Sequence, residues 1–149
     1  MFDAAIGKKS ERVRNLVDRN KVKQFARAIG DEHPIYLDEA TGSASRYGSN
    51  IAPPTYPRVF DYGKIEGLTL PPKGLIHGEQ IYHYERPIRV GEEVYCYARV
   101  GDYKEREGKN GRMGIMRIEN NGEDSAGNLI FSSTVVIIIN EAAIKGMNG

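Results

Sequence analysis

Apolar residues follow a helical period in the first half of the chain and an alternating period in the second half. In the first half, one helix face is marked by Val22, Phe25, Ala26 and Ile29. Asn20 precedes this run as a candidate cap, and Gly30 ends it. The pattern predicts one helix of about two to three turns. Residues 37–50 are small and polar, which predicts a weak helix followed by a loop.

A second apolar segment follows a cluster of prolines. Tyr56, Val59 and Phe60 stand at positions i, i+3 and i+4, immediately after "APPTYP". Proline is tolerated in the first turn of a helix, where its missing N–H has no partner to lose. The sequence therefore predicts a largely buried helix over residues 55–65.

The second half of the chain shows the period of two that is typical of strands. Val94, Cys96, Ala98 and Val100 alternate with polar or aromatic neighbours. Strands are predicted over residues 76–88, 93–103, 113–120 and 129–140. The class is α+β, with an antiparallel sheet and a helix lying on it. The last strand is apolar on both faces, so we expect a helix to cover one side and a partner subunit the other.

Composition narrows the functional classes. A chain of 149 residues fits one domain, taken here as residues 1–149. The 21 basic and 20 acidic residues nearly cancel, which disfavours nucleic acid as a partner. No apolar run is long enough to span a membrane, so no membrane partner is expected. The single cysteine, Cys96, suits a reducing compartment and favours the cytoplasm.

The loop "GDEHPIY" at residues 30–36 contains the first candidate chemistry. Asp31 follows a helix-ending glycine, where Asp makes an Asx turn or cap as readily as it acts as a catalytic carboxylate. His33 is expected to be an exposed loop residue, and Tyr36 a packed aromatic. No metal site is expected, because His77 and His83 lie about 20 Å apart along one predicted strand.

The longer string "FARAIGDEHPIYLDE" resembles the hydratase motif of the MaoC-like family of (R)-specific enoyl-CoA hydratases and (3R)-hydroxyacyl-thioester dehydratases. That motif has an aromatic residue, a spacer and Gly-Asp, followed by Asn-Pro-aliphatic-His. The matching residues are Phe25, Gly30, Asp31, Pro34 and Ile35. His33 stands in place of the Asn, and Tyr36 in place of the catalytic His.

Two later segments, "RYGSNIAPPTYP" and "LIHGEQIYHYERPIRVGEEVYCYARV", also resemble this family. The resemblance implies a single hot-dog fold, in which a curled antiparallel sheet wraps a central helix. It also implies pairing of two such units into a double hot dog. The likeness is to N-terminal domains and accessory subunits, which tend to have Tyr at the position of the catalytic His.

Hydration of an enoyl thioester requires an acid-base group and hydrogen-bond donors for the developing enolate oxygen. The resemblance makes Asp31, Tyr36 and His33 the candidate catalytic residues. Candidate donors at the start of the second predicted helix are Ala52, Thr55 and Tyr56, and His77 is a candidate for lining the acyl cleft. Tyr36, with an ordinary pKa near ~10, is a poor base at neutral pH.

The resemblance therefore implies a subunit of a hydratase or dehydratase, a hydro-lyase acting on (3R)-hydroxyacyl or trans-2-enoyl thioesters of CoA or acyl carrier protein. It would shape the acyl cleft for a catalytic MaoC-like partner and use no cofactor. One alternative is a self-sufficient homodimeric enoyl-CoA hydratase that uses Asp31. The others are a non-catalytic acyl-thioester-binding protein and a hot-dog thioesterase.

Overall fold

A computed structural model describes residues 2–109 and 111–148. Within these residues, five antiparallel strands form one sheet in the order β1-β3-β4-β5-β2. The strands are β1 Val13–Leu16, β2 Leu75–Tyr84, β3 Glu93–Gly108, β4 Gly111–Glu123 and β5 Leu129–Ile139. The α-helices are α1 Arg19–Ala28, α2 Pro34–Leu37, α3 Glu39–Ala44 and α4 Glu141–Asn148. Among the described helices, none is both long and apolar enough to cross a membrane.

The periodic segments fold as predicted, with shifted ends. All four predicted strands are present, and β3 runs five residues beyond its predicted end to form a long hairpin with β4. Helix α1 is also present, although its cap is Asp18, whose carboxylate accepts the Lys21 N–H at 3.0 Å, and Asn20 lies inside the helix. The sequence did not reveal β1, because four residues are too few to establish a period of two.

The helix predicted over residues 55–65 is wrong. Only Tyr56–Val59 turns, as a short 3-10 segment, and Phe60 returns to an extended backbone. The reason lies in contacts with β1. The Asp61 N–H donates to Asn15 Oδ1 at 2.9 Å, and Gly63 adopts a φ of +76° where its missing side chain leaves room beside Glu11. These contacts hold the chain in a loop across the sheet.

One face of the sheet, called here the inner face, bears the core. On β3 its residues are Val94, Cys96, Ala98 and Val100, all of them buried. A first core cluster joins this face to α1 and the 3-10 turn through Val22, Tyr56, Phe60 and Phe131, among others. A second core cluster lies along the sheet and includes Phe2, Tyr103, Met116, Ile139 and Ile144. The inner face is thus covered by α1 and by loop, with no long helix along it among the described residues.

Strand β2 forms an edge of the sheet. One side of it pairs with β5, and no described strand pairs with its other side. Its apolar residues Leu75, Ile76 and Ile81 are 38%, 55% and 45% exposed. Long exposed edges with apolar side chains favour pairing with another chain.

Candidate functional site

The Gly-Asp pair of the candidate loop is the end of helix α1. The Gly30 N–H donates to Arg27 O at 3.1 Å, and the Asp31 N–H donates to Ala26 O at 3.0 Å. Gly30 has a φ of +75°, so the helix closes with a left-handed residue and two back-bonds, which is the Schellman arrangement. The way helix α1 ends therefore explains the Gly30-Asp31 pair without a catalytic role.

Asp31 and His33 both bond to the backbone of the loop itself. Asp31 Oδ1 accepts the His33 N–H at 3.3 Å, and His33 Nδ1 accepts the Ile35 N–H at 3.1 Å. His33 is thus the N-cap of α2, and Pro34 follows at its first position. A ring nitrogen that accepts an N–H has no proton, which places the proton of the neutral ring on Nε2. Both side chains are exposed in the single chain.

Tyr36 turns inward from the same loop. It is half-buried and packs against the first core cluster, with its ring centroid 6.1 Å from that of His33. Burial raises the pKa of the Tyr36 phenol, and the nearby Asp31 charge raises it further. The phenol is therefore neutral at physiological pH, where it can donate or accept a hydrogen bond but cannot serve as a general base.

A cavity of about 380 Å³ opens beside Tyr36 and is called here the Tyr36 cavity. Its lining includes Tyr36, Ala52, Pro54, Tyr84 and Arg86. Asp31 and His33 do not line it. The structure therefore brings the candidates Tyr36 and Ala52 to one cavity, together with residues from β2 and the turn after it.

Tyr84 and Arg86 were missed by sequence reasoning. The Tyr84 hydroxyl donates to Pro54 O at 2.5 Å, and burial raises the pKa of its phenol. Arg86 makes two hydrogen bonds to the Glu92 carboxylate, at 2.8 and 2.9 Å. The alternation of Tyr82 and Tyr84 was a signal that both face the core, but it did not indicate which loop they would meet.

The three predicted oxyanion donors differ in their availability. The Ala52 N–H donates to Ile88 O at 2.8 Å, and the Tyr56 N–H donates to Pro53 O at 2.9 Å. Thr55 is exposed, and its N–H has no acceptor in the described part of the chain. Of these amides, only that of Thr55 is therefore available to a ligand without breaking a backbone bond.

His77 lies far from the Tyr36 cavity. It is exposed at the start of β2, with Nε2 at 3.1 Å from Glu79 O. Tyr84, which lines the cavity, is seven residues further along the strand, or about 23 Å. Within one chain, His77 does not join the other candidates. Nor do the described residues contain a group of three or more His, Cys, Asp or Glu side chains placed to hold a metal ion.

Asn50 fixes the candidate loop to the rest of the domain. It is 1% exposed, and its Nδ2 donates to Ile35 O and Asp38 O, both at 2.8 Å. Its Oδ1 accepts from Arg19 Nη1 at 2.7 Å. One amide thus ties α1, the loop and the start of the proline segment. A single Asn in a polar stretch gave no sequence signal of this role.

A separate cavity of about 260 Å³, called here the sheet cavity, lies between the inner face and the loop that replaces the predicted helix. Its lining includes Arg58 and Ile65 from the loop and Ile118, Asn120 and Val135 from the sheet. A larger groove of about 490 Å³ lies between α1 and the 3-10 turn. Tyr56 and Phe25 line that groove, whereas Asp31, His33 and Tyr36 do not.

Comparison with solved structures identifies the architecture. The chain superposes on the (3R)-hydroxyacyl-ACP dehydratase complex HadBC of Mycobacterium tuberculosis with a TM-score of 0.72, at 19% identity, covering 90% of this chain and 96% of that one. It superposes on the MaoC-like dehydratase of Rhodospirillum rubrum with a TM-score of 0.71, at 19% identity, covering 93% and 94%. The protein therefore has the hot-dog fold, as predicted. A loop takes the place of a long central helix.

The family follows from sequence. Residues 4–133 match the family model described as "FAS1-like, dehydratase domain region". The chain belongs to this family. It is also 29% identical over 136 residues to the "UPF0336 protein" of Thermobifida fusca, covering 87% of each protein. The resemblance to MaoC-like hydratases and dehydratases is confirmed at the level of fold and family.

Proposed function

We propose that this chain is a subunit of a cytoplasmic hydratase or dehydratase for (3R)-hydroxyacyl or trans-2-enoyl thioesters. In this proposal it holds the acyl group, and a related partner supplies the acid-base His. The observation that carries the proposal is the Tyr36 cavity, because a neutral phenol lines it and the sequence resemblance aligns Tyr36 with the imidazole of the family motif. The HadBC relative is itself described as a complex.

The side chains of the loop favour a supporting role over independent catalysis. The His33 ring is used as a helix cap through Nδ1, and Asp31 caps the turn before it. Neither lines the Tyr36 cavity of the single chain. A group that moves a proton in the reaction needs hydrogen-bond reach to it and a pKa near the working pH. In this loop, Tyr36 has the position but not the pKa.

The inner face offers space for an acyl group. The loop of residues 58–68 lies over the sheet and leaves the sheet cavity beneath it. Acyl chains are apolar, and the cavity includes Ile65, Leu68, Ile118, Val135 and Ile137. The thioester would lie at the Tyr36 cavity, with its chain running along the inner face.

Pairing with the partner is proposed to use the free edge of β2. Antiparallel addition of a strand satisfies the unpaired backbone groups and covers Ile76 and Ile81. A homodimer and a heterodimer would use the same edge, so only the activity of the chain with and without a partner separates them.

The experiment is a hydration assay with crotonyl-CoA and longer trans-2-enoyl-CoAs. The purified chain is assayed alone and after co-expression with a MaoC-like protein that has the intact Asp and His motif. We expect turnover only in the co-expressed complex. Turnover by the chain alone that is lost in Asp31→Ala would overturn the accessory role and establish a self-sufficient hydratase. Release of free CoA without hydration would instead identify a thioesterase.

Changing Tyr36 to His provides a second test. The substitution places an imidazole at the Tyr36 cavity, and with His33→Asn it restores the family motif. We expect measurable hydration by the double variant alone, whereas His33→Asn by itself stays inactive. A folded but inactive double variant would argue that this cavity is not built for the reaction.

A further inference from the structure

A β-bulge decides which face of the edge strand β2 bears His77. The register of β2 on β5 shifts directly after His77, which leaves Gly78 as an extra residue without a partner. His77 stands opposite Ile137, which lines the sheet cavity on the inner face, and Tyr84 stands opposite the buried Phe131. Directly opposite residues of an antiparallel pair share one face. The bulge therefore puts His77 on the same inner face as Tyr84, whereas a regular strand would place them on opposite faces.

The free edge of β2 is complementary to itself in antiparallel orientation. A twofold axis at Ile81 places that side chain opposite its own copy, and it places Glu79 opposite His83 of the second copy, in two equivalent contacts. All three side chains are exposed in the single chain. The neighbouring registers that keep the same faces together set Glu79 against Glu85 or against Ile81. The edge therefore favours the register centred on Ile81, because it alone gives each carboxylate an imidazole.

This register brings His77 of one chain beside Tyr84 of the other. Both residues are on the inner face, where the Cβ atoms of opposite residues are about 4.5–5.5 Å apart. Tyr84 lines the Tyr36 cavity. Within one chain, His77 and Tyr84 are about 23 Å apart, so the imidazole reaches only the cavity of the other chain.

The ring of His77 offers an acceptor to that cavity. Its Nε2 lies 3.1 Å from Glu79 O. A carbonyl oxygen can only accept, so the neutral ring has its proton on Nε2 and presents Nδ1 as the acceptor. The cavity is otherwise lined by the phenols of Tyr36 and Tyr84, and the Tyr84 hydroxyl already donates to Pro54 O. An added acceptor suits a ligand with a hydroxyl donor, such as the 3-hydroxyl of a hydroxyacyl thioester.

We propose that two copies of this chain pair along β2, and that His77 of each copy accepts a hydrogen bond from the 3-hydroxyl of an acyl thioester in the other copy's Tyr36 cavity. This inference rests on the proposed function, which places the thioester at that cavity. The catalytic partner of the proposed function would use the same edge. The homodimer is thus a binding form that competes with the active complex.

Cross-linking of Ile81→Cys tests the register. Two thiols at the twofold axis lie within disulfide reach of each other, so we expect mild oxidation to convert the full chain into a covalent dimer. His83→Cys is the matched control, exposed on the same face of the same strand, and it should stay uncross-linked because Glu79 lies opposite it. Cys96 is buried in both variants. A monomeric Ile81→Cys chain, or equal cross-linking of the two variants, would overturn the inference alone.

The role of His77 is tested by calorimetry on the cross-linked dimer, with (3R)-hydroxybutyryl-CoA and butyryl-CoA as ligands. We expect the hydroxyacyl thioester to bind about tenfold tighter, the effect of one added hydrogen bond. His77→Ala should remove this preference and leave butyryl-CoA binding unchanged, whereas His83→Ala should keep it. Equal binding of the two thioesters to the unaltered site would overturn the inference alone. No saturable binding of either thioester would overturn the proposed function as well.

Mixed dimers, purified through two different tags, show which cavity each His77 serves. Ile51→Trp fills the Tyr36 cavity of the chain that bears it. With His77→Ala in one chain and Ile51→Trp in the other, we expect one open cavity that keeps the preference for the 3-hydroxyl. With both changes in one chain and none in the other, the open cavity should bind both thioesters equally. The reverse pattern would show that His77 acts within its own chain and would overturn the inference.

Discussion

Two regions of the inner face are filled in different ways. Beneath α1, aromatic rings pack directly on each other, with Phe60 stacked on Phe131 at 6.0 Å and Tyr56 edge-on to Phe60 at 5.4 Å. Beneath the loop of residues 58–68, the sheet cavity separates Arg58 and Ile65 from Ile118 and Val135. The two regions share one sheet and differ in what lies over it.

The difference follows from the backbone of the covering segments. Helix α1 is capped at both ends and turns Val22 and Ala26 fully into the core. The loop of residues 58–68 is held nearer its middle, where the Asp61 N–H donates to Asn15 Oδ1 and Tyr62 O accepts from Ser10 Oγ, and its side chains reach the sheet only in places. One region therefore supplies rigid packing, and the other supplies space. The packed region contributes stability that the partly empty region does not.

Removing a ring from the packed region should have the largest effect on stability. Phe131→Ala deletes a side chain with 0% exposure that contacts Phe60 and Tyr84. We expect the free energy of unfolding to fall by about 4 kcal/mol, measured by urea denaturation. Val135→Ala, next to the sheet cavity, should cost only about 1 kcal/mol. A loss at Val135 as large as that at Phe131, despite the smaller deletion, would contradict looser packing around the sheet cavity.

Replacing Asn50 tests whether the stability of the packed region depends on the candidate loop. Asn50→Ala removes the three hydrogen bonds that its amide makes with Ile35, Asp38 and Arg19. We expect a loss of about 3 kcal/mol, because a buried amide loses three hydrogen bonds, while Ile35 O and Asp38 O each keep one backbone donor. Asn121→Ala, on the opposite face of β4, should stay within about 0.5 kcal/mol. Hydrogen exchange at Ile51 N–H, which bonds to Ile35 O, should accelerate only in the Asn50 variant.

The burial of Cys96 is expected to have a smaller effect, which appears in how the free energy of unfolding depends on pH. Burial raises the pKa of its thiol to about 12, against a small opposing effect of Asn15. The unfolded chain loses this proton above about pH 8.5, while the native chain retains it, so stability falls as pH rises through that window. The slope is at most about 1.4 kcal/mol per pH unit. Cys96→Ala should flatten the curve between pH 8.5 and 10; an unchanged slope would mean that the thiol is accessible to solvent.

The parts of the fold that the sequence predicted are those whose pattern is local. Alternation along β3 and helical spacing in α1 were sufficient, because each element turns one face to the same core. The helix prediction for the segment after Pro57 was wrong because contacts with Asn15 and Glu11, which are distant in sequence, decide the conformation of that segment. Local spacing of Tyr56, Val59 and Phe60 cannot report such contacts.

The candidate site likewise has features that local sequence predicts and features that depend on contacts between distant segments. The motif predicted one loop as the candidate site, and Gly30 ends the helix as its type predicts. Tyr84 and Arg86 reach the Tyr36 cavity only because β2 lies beside the proline segment in the folded chain. The backbone bonds that occupy the Ala52 and Tyr56 amides likewise form only on folding. The sequence showed which side chains and amides could serve a site. Contacts between distant segments decided which of them reach the Tyr36 cavity and which amides are free to bind a ligand.

The free edge of β2 has a consequence for the abundance of the protein. Whatever pairs with that edge binds the folded chain and not the unfolded one, so it raises the apparent stability by mass action. The midpoint of thermal unfolding then depends on how much partner is present. A cell that makes too little partner would hold more of the chain unfolded and exposed to proteases. For the proposed complex, matched synthesis of the two proteins would thus protect this chain from proteolysis.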